Sequence, residues 1–417
     1  MSKQHREYDI ILFGATGYTG KYCAEHVAAH LPTDLKWAIA GRSAGKLSRM
    51  LDEIKDWNPD RLQPGLEISS LSLEDLNALV RKTRVLINTV GPYHLYGTAV
   101  VEACAKNGTH YLDVTGESPW VLEMIMKYHD IAKANGAIII PSCGLESAPA
   151  DLLAFSLATL IREKLSVGTQ EVIASVHDLK AVPSGGTLAT ALGIFDHYKL
   201  SQITGSFKNW AMSPVPHPKR SQISTPLLTK LTGVRSVPDL GTLTTPITGR
   251  TNTVIVQRSW GLLDKGNLYG PKFQFHEYAR VHNAFTGAMM HFALSAGILA
   301  FSIYPIRWLL KKLIYQPGDG PTRESTAGDF LEYRVIATAD TPEGNKRAMA
   351  KMRWKGSMYD MSGTFLAEAA MTILKDEETE AKKLGGGILT PATLGKKFIE
   401  RLNDVEKCRF EAEIMPY

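Results

Sequence analysis

Cysteine is scarce in this sequence of 417 residues, and its four cysteines lie far apart in the chain. No C-x-x-C pair occurs, which argues against structural zinc and favours free thiols in a reducing compartment. The segment 276–282, HEYARVH, is the nearest approach to a zinc-protease motif. Its second histidine comes two positions too late to share a helical face with the first, so we expect no metal site.

Several other signatures are missing. The first glycine cluster lacks the spacing of a P-loop, and the Tyr-x-x-x-Lys pair of short-chain dehydrogenases occurs nowhere. The net charge is only +5, and no basic run contains interleaved aromatic residues, so nucleic acid is not an expected partner. The start of the chain, 1–7, is polar and does not resemble a signal peptide, which favours a cytoplasmic location.

Composition is that of an ordinary globular protein, with 44% hydrophobic and 21% charged residues. The length suggests two domains. We expect an NAD(P)-binding domain over 1–150, a substrate domain over 151–360, and C-terminal helices over 361–417 that return to the first domain.

The segment 8–20 carries the main functional signal. An apolar run, Ile10–Phe13, leads into glycines at three-residue spacing, which predicts a buried parallel strand, a tight turn and a helix. The first glycine would form the turn, the second would let a pyrophosphate approach, and the third would let the helix pack on the strand. The helix start favours a bound diphosphate. The predicted phosphate-binding residues are Gly14, Thr16, Gly17, Tyr18, Thr19 and Gly20.

The second predicted strand, 35–40, distinguishes between the two nicotinamide cofactors. An NAD site usually has an acidic residue here for the ribose hydroxyls, but this strand ends without one. Arg42, Ser43 and Lys46 follow instead and could bind a 2′-phosphate. The sequence therefore predicts NADPH as the cofactor.

Further candidates lie at the ends of later strands. The fourth strand, 84–90, leads into Gly91-Pro92-Tyr93, and the fifth, 110–114, carries an acidic residue. Ligands of doubly wound sheets bind outside the carboxyl ends of the strands. The remaining predicted cofactor residues are Asn88, Thr89, Gly91, Pro92 and Asp113. Six strands with intervening helices predict the α/β fold class, a Rossmann doubly wound parallel sheet followed by a second, mixed α/β domain.

The second half changes in character. Strands are predicted at 171–180, 252–259, 272–278, 330–339 and 347–356, the last two as an antiparallel pair. A helix is predicted from Ser184-Gly185-Gly186-Thr187 to about Tyr198, and two late helices at 364–374 and 393–402. The segment 206–249 is rich in Pro, Ser and Thr, and we interpret it as a long irregular insertion.

The segment 284–306 contains no charged residue apart from a potentially protonated His291, and Arg307, Lys311 and Lys312 follow it. Its 23 residues are long enough to span a bilayer. A single span would separate the last part of the chain from the rest of its domain. We therefore expect a helix or hairpin within one leaflet at the cytoplasmic side of a membrane or lipid droplet. A helix buried in protein and a true span are the alternatives.

Together these segments resemble the saccharopine-dehydrogenase-like oxidoreductase family, in the branch that holds trans-acting enoyl reductases and lipid-droplet-associated relatives. The resemblance covers most of the chain and least of 206–249. It implies a Rossmann domain, a substrate domain and an NADPH-type cofactor. It rests on GATGYTG at 14–20, AGRS at 40–43, NTVGPYHLYG at 88–97, HYLDVTGE at 110–117, PSCGLESAPADL at 141–152, SGGT at 184–187 and QPGDGP at 316–321.

Reduction of an activated C=C bond places a hydride on the β-carbon and a proton on the α-carbon, and an oxyanion develops between these steps. Tyr93 and His94 are the first catalytic candidates, and Cys143 and Ser147 the next, since all lie on loops at strand ends. Glu117 could hold a loop or move a proton. We expect a reductase of a hydrophobic or carrier-bound acyl substrate. A saccharopine-type imine reductase and a non-catalytic cofactor-binding protein on lipid droplets are the alternatives.

Overall fold

The computed structural model describes residues 6–181, 193–218, 226–313, 321–342 and 344–416. The described residues form two compact units. The first unit holds 6–145 and 358–401, and the second holds the described parts of 146–313, 321–357 and 402–416. The segment 361–417, assigned as a whole to the first domain from the sequence, is therefore divided between the two units.

The first unit is built on a seven-stranded sheet in the order β3-β2-β1-β4-β5-β6-β13, with parallel pairing throughout. This order confirms the predicted Rossmann sheet. A seventh strand, supplied by the C-terminal part of the chain, was not predicted. The strands are β1 (Tyr8–Phe13), β2 (Trp37–Gly41), β3 (Gly65–Ile68), β4 (Thr83–Asn88), β5 (His110–Asp113), β6 (Ile138–Ile140) and β13 (Gly387–Ile388).

Helices connect these strands, as the crossovers of a parallel sheet require. They are α1 (Tyr18–His30), α2 (Ala44–Trp57), α3 (Leu73–Arg81), α4 (Tyr93–Asn107) and α5 (Ser118–Ala134), with α13 (Met358–Lys375), α14 (Glu380–Lys383) and α15 (Gly395–Asn403) from the C-terminal region. Helix α13 packs directly on α1. A Cβ at Gly363 would lie 2.6 Å from the backbone nitrogen of Cys23. The buried carboxylate of Glu368 lies 2.8 Å from Nε2 of His26.

The second unit is built on a seven-stranded mixed sheet in the order β14-β12-β11-β7-β10-β9-β8. Only β7 and β10 pair in parallel, and β11 and β12 form the predicted antiparallel pair. The last strand, β14, was not predicted. The strands are β7 (Thr169–Lys180), β8 (Arg235–Val237), β9 (Gly241–Thr244), β10 (Gln274–Arg280), β11 (Phe330–Ala339), β12 (Arg347–Lys355) and β14 (Cys408–Ile414).

Two predictions for the second unit are wrong. The segment 252–259 is helical, because it lies within α9, whose residues are buried on nearly all sides. Its β-branched residues thus reflect burial rather than strand geometry. The insertion 206–249 contains β8 and β9 and is only partly irregular. The helices of this unit are α6 (Ala148–Leu165), α7 (Leu200–Ser206), α8 (Leu227–Thr232), α9 (Gly249–Leu262), α10 (Ala284–Ser302), α11 (Tyr304–Leu313) and α12 (Arg323–Thr326).

The predicted apolar segment forms α10, which has 19 residues and a mean hydropathy of 1.5. Only 6% of its most apolar window is buried, and Gly287 is the one buried residue. The described structure therefore does not match the alternative of a helix buried in protein. The SGGT segment at 184–187, the helix predicted to follow it as far as residue 192, and residues 316–320 lie outside the described residues.

Candidate cofactor-binding site

The turn between β1 and α1 is held by backbone hydrogen bonds. The N–H of Gly14 donates to the carbonyl of Ala40 at 2.9 Å, and the N–H of Gly17 donates back to the carbonyl of Gly14 at 2.9 Å. Gly17 is the N-cap residue of α1. The first amide groups of this helix have no acceptor within the helix and point away from its N-terminus. This geometry suits the diphosphate contact that the sequence predicts for this helix end.

Each glycine of the turn meets a different steric requirement. Gly14 has φ +92°, and a Cβ there would lie 2.8 Å from Oγ1 of Thr89. At Gly20 a Cβ would lie only 2.2 Å from the carbonyl oxygen of Gly14, so no side chain fits between α1 and the turn at this position. Gly17 is exposed, and a Cβ there would meet only that same oxygen, at 3.2 Å. The turn is thus a cradle that side chains would fill, and its residues fit a bound diphosphate.

The other residues predicted to bind the diphosphate lie next to the glycines of the turn. Thr16 is exposed, and Tyr18 and Thr19 are half-buried. The ring of Tyr18 packs edge-on against Tyr22 and against Tyr359 of α13, with centroids 5.5 and 4.8 Å apart. Tyr359 was not identified from the sequence, since nothing in its local pattern indicates that it lies beside the glycine turn.

The loop after β2 lies beside the glycine turn, because β1 and β2 pair in parallel with Phe13 opposite Ala40. Arg42, Ser43 and Lys46 in this loop and the first turn of α2 are all exposed. No carboxylate stands among them. The arrangement suits the charge-assisted hydrogen bonds that a 2′-phosphate requires.

The end of β4 is fixed to the glycine turn. The N–H of Thr89 donates to the carbonyl of Phe13 at 2.9 Å, and its hydroxyl donates to the carbonyls of Phe13 and Gly14, both at 3.1 Å. Asn88 is buried beside Phe13 in the register. Gly91 and Pro92, joined by a cis peptide bond, then lead into α4. The predicted cofactor residues of β1 and β4 therefore form one continuous edge.

The catalytic candidates Tyr93 and His94 are both buried at the start of α4. The carboxylate of Glu117 accepts the backbone N–H groups of both residues at 2.8 Å and lies 2.6 Å from Nδ1 of His94. The hydroxyl of Tyr93 donates to the carbonyl of Asn88 at 3.1 Å, and burial raises the pKa of Tyr93 well above 10. These contacts give both residues a part in holding the turn, and their catalytic roles stay predictions.

Asp113 is fully buried at the end of β5. Its carboxylate accepts the N–H groups of Thr115 and Ser142 at 2.9 Å and the hydroxyl of Tyr111 at 2.7 Å. Burial raises the pKa of Asp113 to about 7, although these donors favour the charged form. The geometry favours a role in holding the loops after β5 and β6, and contact with the cofactor stays a prediction.

The remaining candidates differ in their surroundings. Cys143 is buried, and its N–H donates to the carbonyl of Asp113 at 2.7 Å. Ser147 belongs to the second unit, where its hydroxyl donates to Oδ1 of Asn252 at 3.0 Å. Among the described residues, no group of three or more metal-ligating side chains is found.

Comparison with known proteins identifies relatives over nearly the whole chain. Residues 10–140 match the family model described as the saccharopine dehydrogenase NADP binding domain. A putative trans-acting enoyl reductase of Mycobacterium tuberculosis is 30% identical over 96% of this chain and 97% of its own length. The trans-acting enoyl reductase of Mycobacterium bovis has the same identity and coverage. The solved amine dehydrogenase of Mycobacterium smegmatis aligns with 93% of this chain and 96% of its own at 14% identity, with a TM-score of 0.41.

Proposed function

We propose, because this chain belongs to the saccharopine dehydrogenase-like oxidoreductase family in the branch of the trans-acting enoyl reductases, that it reduces an activated C=C bond. It is an NADP-dependent oxidoreductase, and NADPH is its cofactor. The proposed substrate is hydrophobic or carrier-bound, a polyketide or lipid acyl chain. The observation that carries the proposal is the glycine turn of α1 with Arg42 and Lys46 beside it, in a chain whose relatives are named enoyl reductases.

Different residues of the site would bind different parts of NADPH. NADPH, when bound, supplies the hydride. The amide groups at the start of α1 would bind its diphosphate, and Arg42 with Lys46 would bind its 2′-phosphate. Glu117 fixes the backbone of Tyr93 and His94 and so keeps the loop after β4 in one conformation. Such fixed positioning lowers the cost of orienting two reactants.

The test is NADPH oxidation, followed by absorbance, with a small panel of substrates. Crotonyl thioesters of coenzyme A and of a pantetheine carrier should be reduced, and the product should gain two hydrogens by mass. Turnover of glutamate with an aldehyde, and not of the thioesters, would instead support the imine reductase. Saturable NADPH binding without any turnover would support the non-catalytic alternative and contradict our proposal.

We also propose that the protein contacts a lipid leaflet through an exposed apolar surface of the second unit. We define the apolar surface as the exposed large side chains of α8, α10 and α11. It continues from α8 to α10, because Gly233 at the end of α8 abuts His291 of α10. Its members are Leu227, Leu228, Leu231, Phe285, Met289, Met290, Phe292, Ile298, Leu299, Tyr304, Ile306 and Trp308.

The topology of the second unit supports a leaflet rather than a span, and the composition of the surface suits the headgroup boundary. Strands β10 and β11, which flank α10 and α11 in the chain, belong to the same sheet, so both ends of the segment lie on one side of a membrane. Lys230 of α8 is exposed and adds positive charge beside these apolar residues, which complements anionic headgroups. Aromatic side chains such as Trp308, which is 52% exposed, prefer the headgroup boundary.

Flotation with liposomes of phosphatidylcholine and phosphatidylserine tests this contact. The native protein should float with the vesicles, and Met289→Asp combined with Leu299→Asp should abolish flotation. Met126→Asp is the matched control, because Met126 is 80% exposed on α5 of the first unit. Equal flotation of the native protein and the double variant would contradict the proposed surface.

A further inference from the structure

One face of the second sheet carries two buried polar side chains without a hydrogen-bond partner among the described residues. Ser175 and His177 lie two residues apart on β7, and the pairing with β11 shifts register at His177. The charge of Arg334, which is opposite Ser175, acts on the ring of His177, so the two side chains lie on the same face. Ser175 is 0% exposed and His177 is 8% exposed. Oγ of Ser175 and Nδ1 of His177 are the unpartnered atoms. Such atoms are rare, because a buried polar atom loses its hydrogen bonds to water and here gains none from the protein. Each one therefore requires an explanation.

The strand register places an arginine on each side of this pair. Arg334 of β11 is directly opposite Ser175. On β10, Tyr278 is opposite Ser175 and Ala279 is opposite Val176, and the next residue, Arg280, is close enough to His177 for its charge to act on the ring. Residues opposite one another on paired strands share a face. Burial and then the positive charges of Arg334 and Arg280 lower the pKa of His177 to about 4, so the imidazole is neutral at pH 7.

The charge around the pair is not balanced. Two carboxylates act on His177, Glu332 and Asp178, and Glu332 is shared between Arg334 at 2.5 Å and Arg353 at 3.0 Å. No carboxylate of the described residues lies within ion-pairing distance of Arg280, which is exposed. Three arginines and two carboxylates therefore surround the pair, which leaves an excess of positive charge beside two buried hydrogen-bonding groups.

The same face is apolar beside Ser175 and in the next row of the strands. Ile173, Tyr278 and Ile336 belong to a buried cluster that also includes Leu240 and Leu243. This cluster lies directly beside the polar pair, because Tyr278 is opposite Ser175. Two buried polar groups thus lie between an apolar cluster and two arginine residues on one face of the sheet.

We propose that Ser175, His177, Arg280 and Arg334 bind an oxyanion of the substrate, a phosphate or a carboxylate. The hydroxyl of Ser175 and the neutral ring of His177 would donate hydrogen bonds, and the arginines would supply charge. This inference rests on the proposed function, because an acyl chain on a phosphopantetheine carrier brings a phosphate, whereas a free acid brings a carboxylate. It assigns substrate recognition to the second unit.

Calorimetric titration of the full chain tests the site. The protein is saturated with NADP⁺, which occupies the cofactor site without reducing the probes. Three probes separate the sources of the anion: crotonyl-pantetheine 4′-phosphate, crotonyl-pantetheine without phosphate, and crotonate. We expect Arg280→Gln to weaken binding of the phosphate probe at least tenfold and to leave the probe without phosphate unchanged. The same loss for crotonate alone would assign the site to a carboxylate.

Two further variants make the outcome decisive. Ser175→Ala removes one donor with little change in volume and should weaken the same probe several-fold. Arg409→Gln is the matched control, because it makes the same charge change at an exposed, 68% accessible side chain of β14 in the same sheet. If Arg280→Gln and Ser175→Ala both bind every probe within twofold of the native protein, the site is refuted. Failure of the native protein to bind NADP⁺ would instead refute the proposed function. The comparison of probe binding between the native protein and the variants would still test the anion site.

Discussion

The close packing of α1 on the glycine turn leads to a direct prediction for Gly20→Ala. A Cβ at this position would lie 2.2 Å from the carbonyl oxygen of Gly14 and 2.9 Å from Cα of Ala15. Both are backbone atoms, so no side-chain rotation can relieve the overlap. Ordinary contacts between carbon and oxygen are about 3.3 Å, and the start of α1 must therefore move by about 1 Å.

The displacement should affect both stability and cofactor binding. Overpacking of this kind costs roughly 1–3 kcal/mol, which would lower the Tm of a domain of this size by roughly 2–12 °C. The same movement shifts the amide groups at the start of α1 away from the diphosphate position. We expect NADPH affinity to fall at least tenfold, which corresponds to about 1.4 kcal/mol.

The assays are thermal unfolding and fluorescence titration with NADPH. Gly45→Ala is the stability control, because it makes the same change in α2, where a Cβ meets no atom within 4 Å. That variant should be as stable as the native protein or more stable by up to about 1 kcal/mol. A Gly20→Ala protein with native Tm and native NADPH affinity would refute the assignment of this turn.

The other predictions concern charge. Arg42→Ala should weaken NADPH binding tenfold or more and leave NADH binding unchanged, as paired titrations would show; equal weakening of both cofactors would exclude a 2′-phosphate contact. Glu117→Gln should lower the free energy of unfolding by about 1–3 kcal/mol, because one of its charge-assisted hydrogen bonds at the start of α4 loses its acceptor. Native stability in urea would argue against this anchoring role. Burial raises the pKa of Glu277 from 4.5 to about 7, so its protonated form favours the folded state and stability should decline as the pH rises between these values. Glu277→Gln should remove about 3 kcal/mol of this pH dependence in urea unfolding at pH 5 and pH 8; an unchanged dependence would exclude Glu277 as its source.

Much of the first unit could be predicted from the sequence, because its signals are local. The apolar run of β1 and the glycines after it determine a strand, a turn and a helix within 13 residues. The absence of an acid after β2 is equally local. By contrast, β13 and α13 join this unit from more than 200 residues away, and only long-range packing against β6 and α1 determines their positions.

The second unit was predicted less well, because its burial obscures the strand and helix periods. The Val-Ile-Val run of α9 has the composition of a strand but is enclosed on nearly all sides as a helix. The role of Glu117 as a double acceptor at α4 also required the structure, since its partners lie 23 and 24 positions earlier in the chain. A sequence pattern names such residues but does not show which atoms they contact.

Because β13 and α13 lie near the end of the chain, they are synthesised long after the rest of the first unit. On the ribosome, residues 6–145 emerge long before the strand and helix that complete their sheet and cover α1. Until residue 388 has been synthesised, the apolar and charged groups that α13 later covers, including His26, remain open to other chains. Nascent protein should therefore need protection during this interval, and a fragment ending at residue 145 should aggregate rather than behave as a portable nucleotide-binding module.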